Sequence, residues 1–114
     1  MFMLLALSIL VVDGDTLKID GQRLRIMNIA AAELNGECRY ERELAAKAKA
    51  RVIELNDGHV FEIVYSGHED RYRRPLVLVN VEGKDLREML IEEGVAQPWT
   101  GRQPDWCDGP QTNQ

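Results

Sequence analysis

Two Asp-Gly dipeptides, seven residues apart, constrain the fold of this chain more than any other feature. Asp13-Gly14 and Asp20-Gly21 are turn signals, because Gly accepts a positive φ and Asp hydrogen-bonds back to its own backbone. Apolar and polar residues alternate after each dipeptide. The pattern predicts three short strands in a meander, over residues 8–12, 17–19 and 22–29.

The first turn, Asp13-Gly14-Asp15-Thr16, has two interpretations. It is either an ordinary turn, or a turn whose carboxylates also hold a ligand. The segment taken alone favours the ordinary turn, because Asp-Gly is common in short loops. The second interpretation therefore depends on the rest of the chain.

The remaining residues predict a small α+β protein. The sequence indicates a helix over 37–55, strands over 59–66 and 75–81, and a short helix over 85–93. The charges in "ERELAAKAKAR", residues 41–51, are interpreted as a solvated helix face. This order fits a five-stranded Greek-key barrel of the OB type with two or three helices, and a generic α+β sheet fits nearly as well.

A length of 114 residues predicts a single domain over 1–114, with a core at about 8–99 and an irregular tail over 100–114. The formal charge of −5 argues against attraction of nucleic acid over the whole surface. Any such contact requires clustered arginines such as Arg71, Arg73 and Arg74. The apolar stretch 1–10 is too short to span a bilayer, so no membrane span is expected. Its first seven residues either extend the first strand or remain from a trimmed export signal.

Cys38 and Cys107 lie far apart, and neither belongs to a CxxC motif. The residues alone leave two possibilities, a pair of buried thiols or a disulfide. A disulfide would imply an oxidising compartment.

Several charged side chains stand at or near the ends of the predicted elements: Asp13, Asp15, Arg25, Glu33 and Arg74. Such a set suits the hydrolysis of a phosphodiester. Carboxylates bind a hard cation, which polarises the phosphoryl oxygen. Guanidinium groups bind phosphate in a bidentate manner, and a further carboxylate activates the attacking water.

The chain resembles the staphylococcal-type nucleases, or thermonuclease-like domains, over about residues 8–99. The resemblance rests on four stretches in the same order: "VVDGDTLKI", "RLRIMNI" followed by Glu33, "DRYRRPLVLV" and "LIEEGVAQPW". It implies an OB-type barrel with a calcium-dependent nuclease site at its open side. The expected partner is nucleic acid, with single strands favoured, and the chain is expected to be a monomer.

The resemblance also implies roles for individual residues. Asp15 matches the metal-binding aspartate, Thr16 would lend its backbone carbonyl to the metal, and Asp13 would stand behind Asp15. Arg25 and Arg74 match the two phosphate-binding arginines, and Glu33 matches the glutamate that handles the attacking water.

The loop around Arg74 supplies the expected substrate contacts. Arg71 and Tyr72 flank the phosphate-binding arginine, with Asp70 at the start of the loop. Trp99 has two interpretations, a platform on which a base stacks or a cap on the end of the barrel, and the cap is favoured.

Three positions depart from the family pattern. Ala30 stands where a second metal-binding aspartate is expected, Ala32 replaces a proline, and Arg73 replaces a glycine. Loss of a carboxylate about 4 Å from a cation removes an attraction on the order of 4 kcal/mol in a partly screened site. The prediction is a calcium-dependent nuclease with weak metal binding. The alternative is an inactive OB-type module that binds nucleic acid or protein, which the arginines would serve equally well.

Some exported members of this family end in Trp-Cys and carry an earlier Cys at the start of the first helix. Cys38 and the "DWC" of Asp105–Cys107 resemble that pair. The resemblance therefore implies a disulfide and a periplasmic or secreted protein, with a cytoplasmic location still open.

Overall fold

The computed structural model describes residues 2–5 and 8–108. Its strands are β1 (Phe2–Leu5), β2 (Leu10–Asp13), β3 (Thr16–Ile19), β4 (Gln22–Ile26), β5 (Ile29–Ala30), β6 (Phe61–Glu69), β7 (Pro75–Val81), β8 (Lys84–Asp85) and β9 (Gln97–Pro98). Its helices are α1 (Arg39–Gly58) and α2 (Leu86–Glu92). Predictions for residues 1, 6–7 and 109–114 lie outside the described residues.

The predicted meander is confirmed in strands β2, β3 and β4, which pair antiparallel in chain order. Asp20 and Gly21 both have positive φ, 51° and 81°, as a two-residue hairpin turn requires. The single strand predicted over 22–29 is wrong. Asn28 adopts φ 60°, a left-handed conformation that Asn tolerates, and it separates β4 from β5.

The strands form one large sheet and one small one. The order of the large sheet is β1-β6-β7-β4-β3-β2, with β8 paired to β7, and β5 pairs with β9 in the small sheet. This arrangement agrees with the predicted α+β fold of OB type. Within ranges 2–5 and 8–108, the ladders form an open path rather than a closed ring. The strand count exceeds five because β1 and the two-residue strands add to the predicted set.

Helix α1 packs its apolar stripe on the sheet. Ala45, Ala48, Val52 and Leu55 are buried, as their spacing predicts. In α2, Leu86 and Leu90 are fully buried against the same core. The predicted solvated face of α1 is wrong at one residue, because Glu41 keeps only 6 % of its surface exposed. Among the described helices, none is long and apolar enough to cross a bilayer.

A disulfide joins Cys38 to Cys107, with Cα atoms 5.9 Å apart. Cys38 is also the residue that caps the N-terminus of α1. Residues 99–108 contain no helix or strand. This tail is fixed at its far end by the disulfide, and Trp106 packs in a second small core with Ala30 and Ala32.

Candidate active-site cleft

One cleft of about 750 Å³ is lined by all nine residues that were predicted from the sequence to take part in catalysis, metal binding or substrate contact. These are Asp13, Asp15, Thr16, Arg25, Glu33, Arg71, Tyr72, Arg74 and Trp99. The cleft lies where the β2–β3 turn, strand β4, the loop before β7 and the tail meet. Residues far apart in sequence therefore share one concave surface.

The segment 13–16 is a turn, and Asp13 closes it. The backbone N–H of Asp15 donates to the Asp13 carboxylate at 3.0 Å. A Cβ atom added to Gly14 would lie 2.9 Å from the Cβ of Ala48 and 3.0 Å from that of Ala31. Only Gly therefore allows the turn to pack this closely against helix α1 and the segment after β5.

Asp15 is held on both of its carboxylate oxygens. Its Oδ1 accepts a hydrogen bond from the hydroxyl of Thr16 at 2.9 Å. Its Oδ2 accepts from the backbone N–H of Ala31 at 3.3 Å and lies 3.6 Å from the guanidinium of Arg25. The carboxylate of Asp15 is thus fixed at the wall of the cleft, beside a cation.

Arg25 projects from strand β4 and is fixed by main-chain carbonyls. Its guanidinium donates to the carbonyls of Ile26 and Ile29, the latter at 2.7 Å. Its Cζ lies 5.9 Å from the centre of the Trp99 ring. Trp99 lines the cleft and remains 41 % exposed.

Asp70 organises the loop that carries the second arginine. Its carboxylate accepts from the backbone N–H groups of Tyr72 and Arg74 and from Nε of Arg74 at 2.7 Å. Arg74 also donates to the hydroxyl of Thr16 at 3.4 Å. Burial raises the pKa of Asp70, but these hydrogen bonds outweigh it and leave the pKa below its ordinary value. Arg73 adopts φ 66°, a conformation that favours Gly.

Tyr72 lies at the outer edge of the same loop with 65 % of its surface exposed. The guanidinium carbons of Arg71 and Arg74 lie 5.0 Å and 5.6 Å from its ring centre. Such contacts are cation–π interactions. The cleft therefore has an exposed aromatic ring next to each of its two inward arginines.

The carboxylates of the cleft disfavour one another's charge. Burial and the neighbouring Asp15 raise the pKa of Asp13 to about 7. The pKa of Glu33 is also raised. Its side chain is largely exposed, but partial desolvation raises the pKa, and the charges of Asp15 and Glu41 raise it further. Arg25 and Arg74 oppose that shift.

Position 30 is not part of the cleft wall. Ala30 is fully buried and packs with Trp106. The next residue, Ala31, donates its N–H to Asp15, and its carbonyl accepts from the side-chain amide of Gln103 at 2.8 Å. The main chain at 30–31 therefore passes directly beside Asp15, although no carboxylate projects from it.

Three structural contributors were not predicted from the sequence: Glu41, Gln103 and Trp106. Glu41 accepts hydrogen bonds from the backbone N–H groups of Glu33 and Glu37. Its position in the first turn of α1, three residues after the N-cap, is the signal that would have indicated a capping role. The tail beyond Trp99 shows no periodicity, and no sequence signal identifies Gln103.

The donor set of the cleft consists of oxygen atoms, which suits a hard cation such as calcium. Mutual repulsion among Asp13, Asp15 and Glu33 would also be relieved by a cation. These carboxylates do not form a closed ligand set. In the described part of the chain, the only trio of candidate ligand atoms within 4.8 Å of one another is Cys38, Glu41 and Cys107. Two of those atoms are disulfide sulfurs, so the trio does not fit calcium.

Comparison with known families agrees with the geometry. A family model described as staphylococcal nuclease homologue matches residues 23–109, which is more than half of the chain. No curated protein matches the chain. The matched range contains Arg25, Glu33, Arg74 and both cysteines. It supports a nuclease-like or nucleic-acid-binding module. The chain belongs to the staphylococcal nuclease homologue family.

Proposed function

We propose that the protein hydrolyses phosphodiester bonds in single-stranded nucleic acid, with assistance from a weakly bound calcium ion. The observation that carries this proposal is the shared cleft, in which two arginines face Asp15 and Glu33. This combination neutralises a phosphate and supplies a base for water.

Arg25 and Arg74 are the proposed phosphate-binding residues. Each guanidinium has five N–H donors and uses two of them in the hydrogen bonds described above. The carbonyls and the Asp70 carboxylate that receive those bonds fix the orientation of the groups in advance. Such preorganised cations stabilise the charge that develops on a phosphoryl group in the transition state.

The exposed rings explain the proposed preference for single strands. Tyr72 and Trp99 are exposed and lie beside the two arginines. Bases stack on such rings only when they are not paired and stacked in a duplex, and each stacked base contributes about 1–3 kcal/mol. The loop before β7, in which Arg71 lies beside Tyr72, would contact the sugar–phosphate backbone of the same nucleic-acid strand.

Glu33 is the proposed general base. Its pKa is raised, and a carboxylate with a higher pKa is a stronger base for accepting a proton from water. Asp15, with the backbone carbonyl of Thr16, would hold the calcium ion. A bound calcium ion would polarise the phosphoryl oxygen. Asp13 supports the turn that carries Asp15.

The proposed metal affinity is low because position 30 carries no carboxylate. Asp15 contributes one negative charge, and water molecules can replace a missing ligand but not its charge. We therefore propose slow hydrolysis that requires high calcium concentrations.

The same observation favours the second candidate function, an inactive module that binds nucleic acid or protein. Arg25, Arg74 and the aromatic rings would serve binding without hydrolysis. The two candidates differ in whether the bound strand is cleaved in a reaction that depends on Glu33 and calcium.

The disulfide supports a periplasmic or secreted location, because such bonds persist in oxidising compartments. We propose that the protein acts there as a monomer.

Cleavage of a labelled single-stranded DNA and a single-stranded RNA, in millimolar calcium and in chelator, tests the proposal. We expect Glu33→Gln and Arg25→Gln to lower kcat/KM at least about a hundredfold, on the scale found when one transition-state partner is removed. Arg23→Gln is the matched control, since Arg23 is exposed on the same strand and lies outside the cleft. Binding of the strand without calcium-dependent cleavage would instead establish the binding module.

A further inference from the structure

Glu41 is a buried carboxylate in the first turn of helix α1, with 6 % of its surface exposed. Its Oε2 accepts the backbone N–H of Glu33 at 3.2 Å, and its Oε1 accepts that of Glu37 at 3.1 Å. A buried carboxylate is costly unless hydrogen bonds satisfy it. Both of its oxygens have a donor here, and the helix N-terminus adds a favourable dipole.

The loop over residues 33–38 wraps around this carboxylate. A Cβ atom at Gly36 would lie 2.3 Å from Cδ of Glu41, so the loop approaches the side chain more closely than any other residue would allow. The backbone N–H of Gly36 also donates to the carbonyl of Glu33 at 3.0 Å. The loop ends at Cys38, which the disulfide fixes to the tail.

We propose that Glu41 is a positioning residue that anchors the main chain at Glu33, so that the Glu33 carboxylate is held at the cleft. This inference rests on the proposed nuclease function of Glu33. Nothing between Glu33 and α1 is a helix or strand. The described contacts that hold this loop to the rest of the fold are the two hydrogen bonds to Glu41, one from Arg42 to the carbonyl of Gly36 at 2.9 Å, and the disulfide, and of these only Glu41 bonds the main chain at Glu33. Without the anchor, the base would lose its orientation toward the attacking water.

Such a role separates the two kinetic constants. The proposed contacts with the phosphate and the nucleobases are made by Arg25, Arg74 and the aromatic rings, and none of these touches Glu41. Loss of the anchor should therefore lower kcat and leave KM nearly unchanged, because misplacement of a reacting group by about 1 Å costs up to a hundredfold in rate.

The charge of Glu41 gives a second readout. The charged groups that act on Glu33 lie on the β2–β3 turn, strand β4, the loop before β7 and helix α1. They are Asp13, Asp15, Arg25, Arg74 and Glu41. Removal of the Glu41 charge removes one cause of the raised pKa of Glu33. The acidic limb of the pH–rate profile should then move to lower pH, an effect that a purely structural role of Glu41 would not produce.

The test compares Glu41→Gln with Glu37→Gln, which removes an exposed carboxylate from the same loop. We expect Glu41→Gln to lower kcat at least about tenfold with KM within about twofold, and to shift the acidic limb downward. Glu37→Gln should leave both constants within about twofold. Gly36→Ala displaces the Glu41 side chain without altering it and should reproduce the loss of kcat, whereas Gly58→Ala, where an added Cβ meets nothing within 4 Å, should not.

Amide hydrogen exchange provides a measurement that does not depend on hydrolysis. The amides of Glu33 and Glu37 should be protected in the unaltered protein and should exchange at least about tenfold faster in Gly36→Ala and in Glu41→Gln, because their acceptor is displaced or halved. If the unaltered protein cleaves no substrate, the proposed function fails, while exchange still tests the anchor. Unprotected amides in the unaltered protein would overturn the inference. So would unchanged kcat and pH profile in Glu41→Gln or, if that variant does not fold, unchanged kcat in Gly36→Ala.

Discussion

The side-chain amide of Gln103 donates a hydrogen bond to the backbone carbonyl of Ala31 at 2.8 Å. This contact joins the irregular tail to Ala31. The N–H of the same residue donates to the carboxylate of Asp15. The tail is therefore part of the wall of the candidate site, although it contains no regular secondary structure. Trp106 and the disulfide also hold this tail in place.

Substitution of Gln103 should weaken this wall. Ala31 is 2 % exposed, so Gln103→Ala leaves its carbonyl poorly satisfied and should lower the free energy of unfolding by about 1–2 kcal/mol. Gln97→Ala is the control, because Gln97 is exposed on β9. Urea unfolding followed by circular dichroism measures both variants. Equal midpoints for the two would show that the Gln103 contact contributes nothing to stability.

The disulfide should contribute substantially to stability. Cys38 and Cys107 are separated by 69 positions, and a closed loop of that length stabilises a domain by about 4 kcal/mol on the chain-entropy model. Reduction, or the Cys38→Ser/Cys107→Ser double variant, should therefore lower the free energy of unfolding by about 2–4 kcal/mol. Urea unfolding with and without a thiol reductant measures this loss. The reductant should have no effect on the double variant, and a reductant-insensitive midpoint for the unaltered protein would contradict the prediction.

Local periodicity predicted much of the fold because strands and helices impose it on sequence. The meander, the buried stripe of α1 and the inward side of α2 all follow from residue spacing. The break after β4 did not, because a left-handed Asn28 depends on one residue rather than on a pattern. The parallel pairing of β4 with β7 joins distant residues and leaves no local signal.

The candidate site was predictable to the extent that its residues occur in short motifs. Asp15, Arg25, Glu33 and Arg74 come from three motifs in a fixed order, and the structure places them in one cleft. Glu41 was assigned to a solvated face, because the pattern of charges alone does not show which carboxylate turns inward. Its place three residues after the N-cap is the signal that distinguishes it. Gln103 acts through a single side chain on a backbone carbonyl, and such a contact has no sequence pattern.

Asp13 should make stability depend on pH. Its folded-state pKa of about 7 lies above its ordinary value of 3.8, so the folded protein binds this proton more tightly than the unfolded chain. Binding of this proton therefore contributes fully to the free energy of unfolding below about pH 4. The contribution decreases as the pH rises and is lost at about pH 7. Asp13→Asn keeps the acceptor for the N–H of Asp15 and removes the charge. In chelator at pH 8 it should stabilise the fold by roughly 1 kcal/mol, a value reduced for the partial exposure of Asp13.

Chemical unfolding at pH 5 and pH 8 measures this effect. The gain from Asp13→Asn should be larger at pH 8 than at pH 5, because Asp13 is largely protonated at the lower value. Asp20→Asn is the control, since Asp20 is exposed in the other Asp-Gly turn. A gain that is equal at the two pH values would show that the charge of Asp13 is not its cause.

Restoration of an aspartate at position 30 should strengthen calcium binding at a cost in stability. Ala30 is fully buried beside Trp106, so in chelator Ala30→Asp places an unpaired charge in an apolar site and should lower the melting temperature. The N–H of the next residue meets Asp15, so a carboxylate at position 30 that turns away from Trp106 toward the cleft would share a cation with Asp15. Calcium should then stabilise this variant more than the unaltered protein, since a ligand stabilises the fold by RT ln(1 + [L]/Kd).

Thermal melts in millimolar calcium and in chelator measure these shifts. We expect a small upward shift with calcium for the unaltered protein, none for Asp15→Asn and a larger one for Ala30→Asp. Ala46→Asp is the control, because it adds the same charge at an exposed position of α1 and should keep the small shift of the unaltered protein. The order of the shifts matters more than their size, since Asp15 is the proposed ligand in both the unaltered protein and Ala30→Asp. A shift in Asp15→Asn equal to that of the unaltered protein would mean that the metal binds elsewhere or not at all, and the binding module would then be the better account of the cleft.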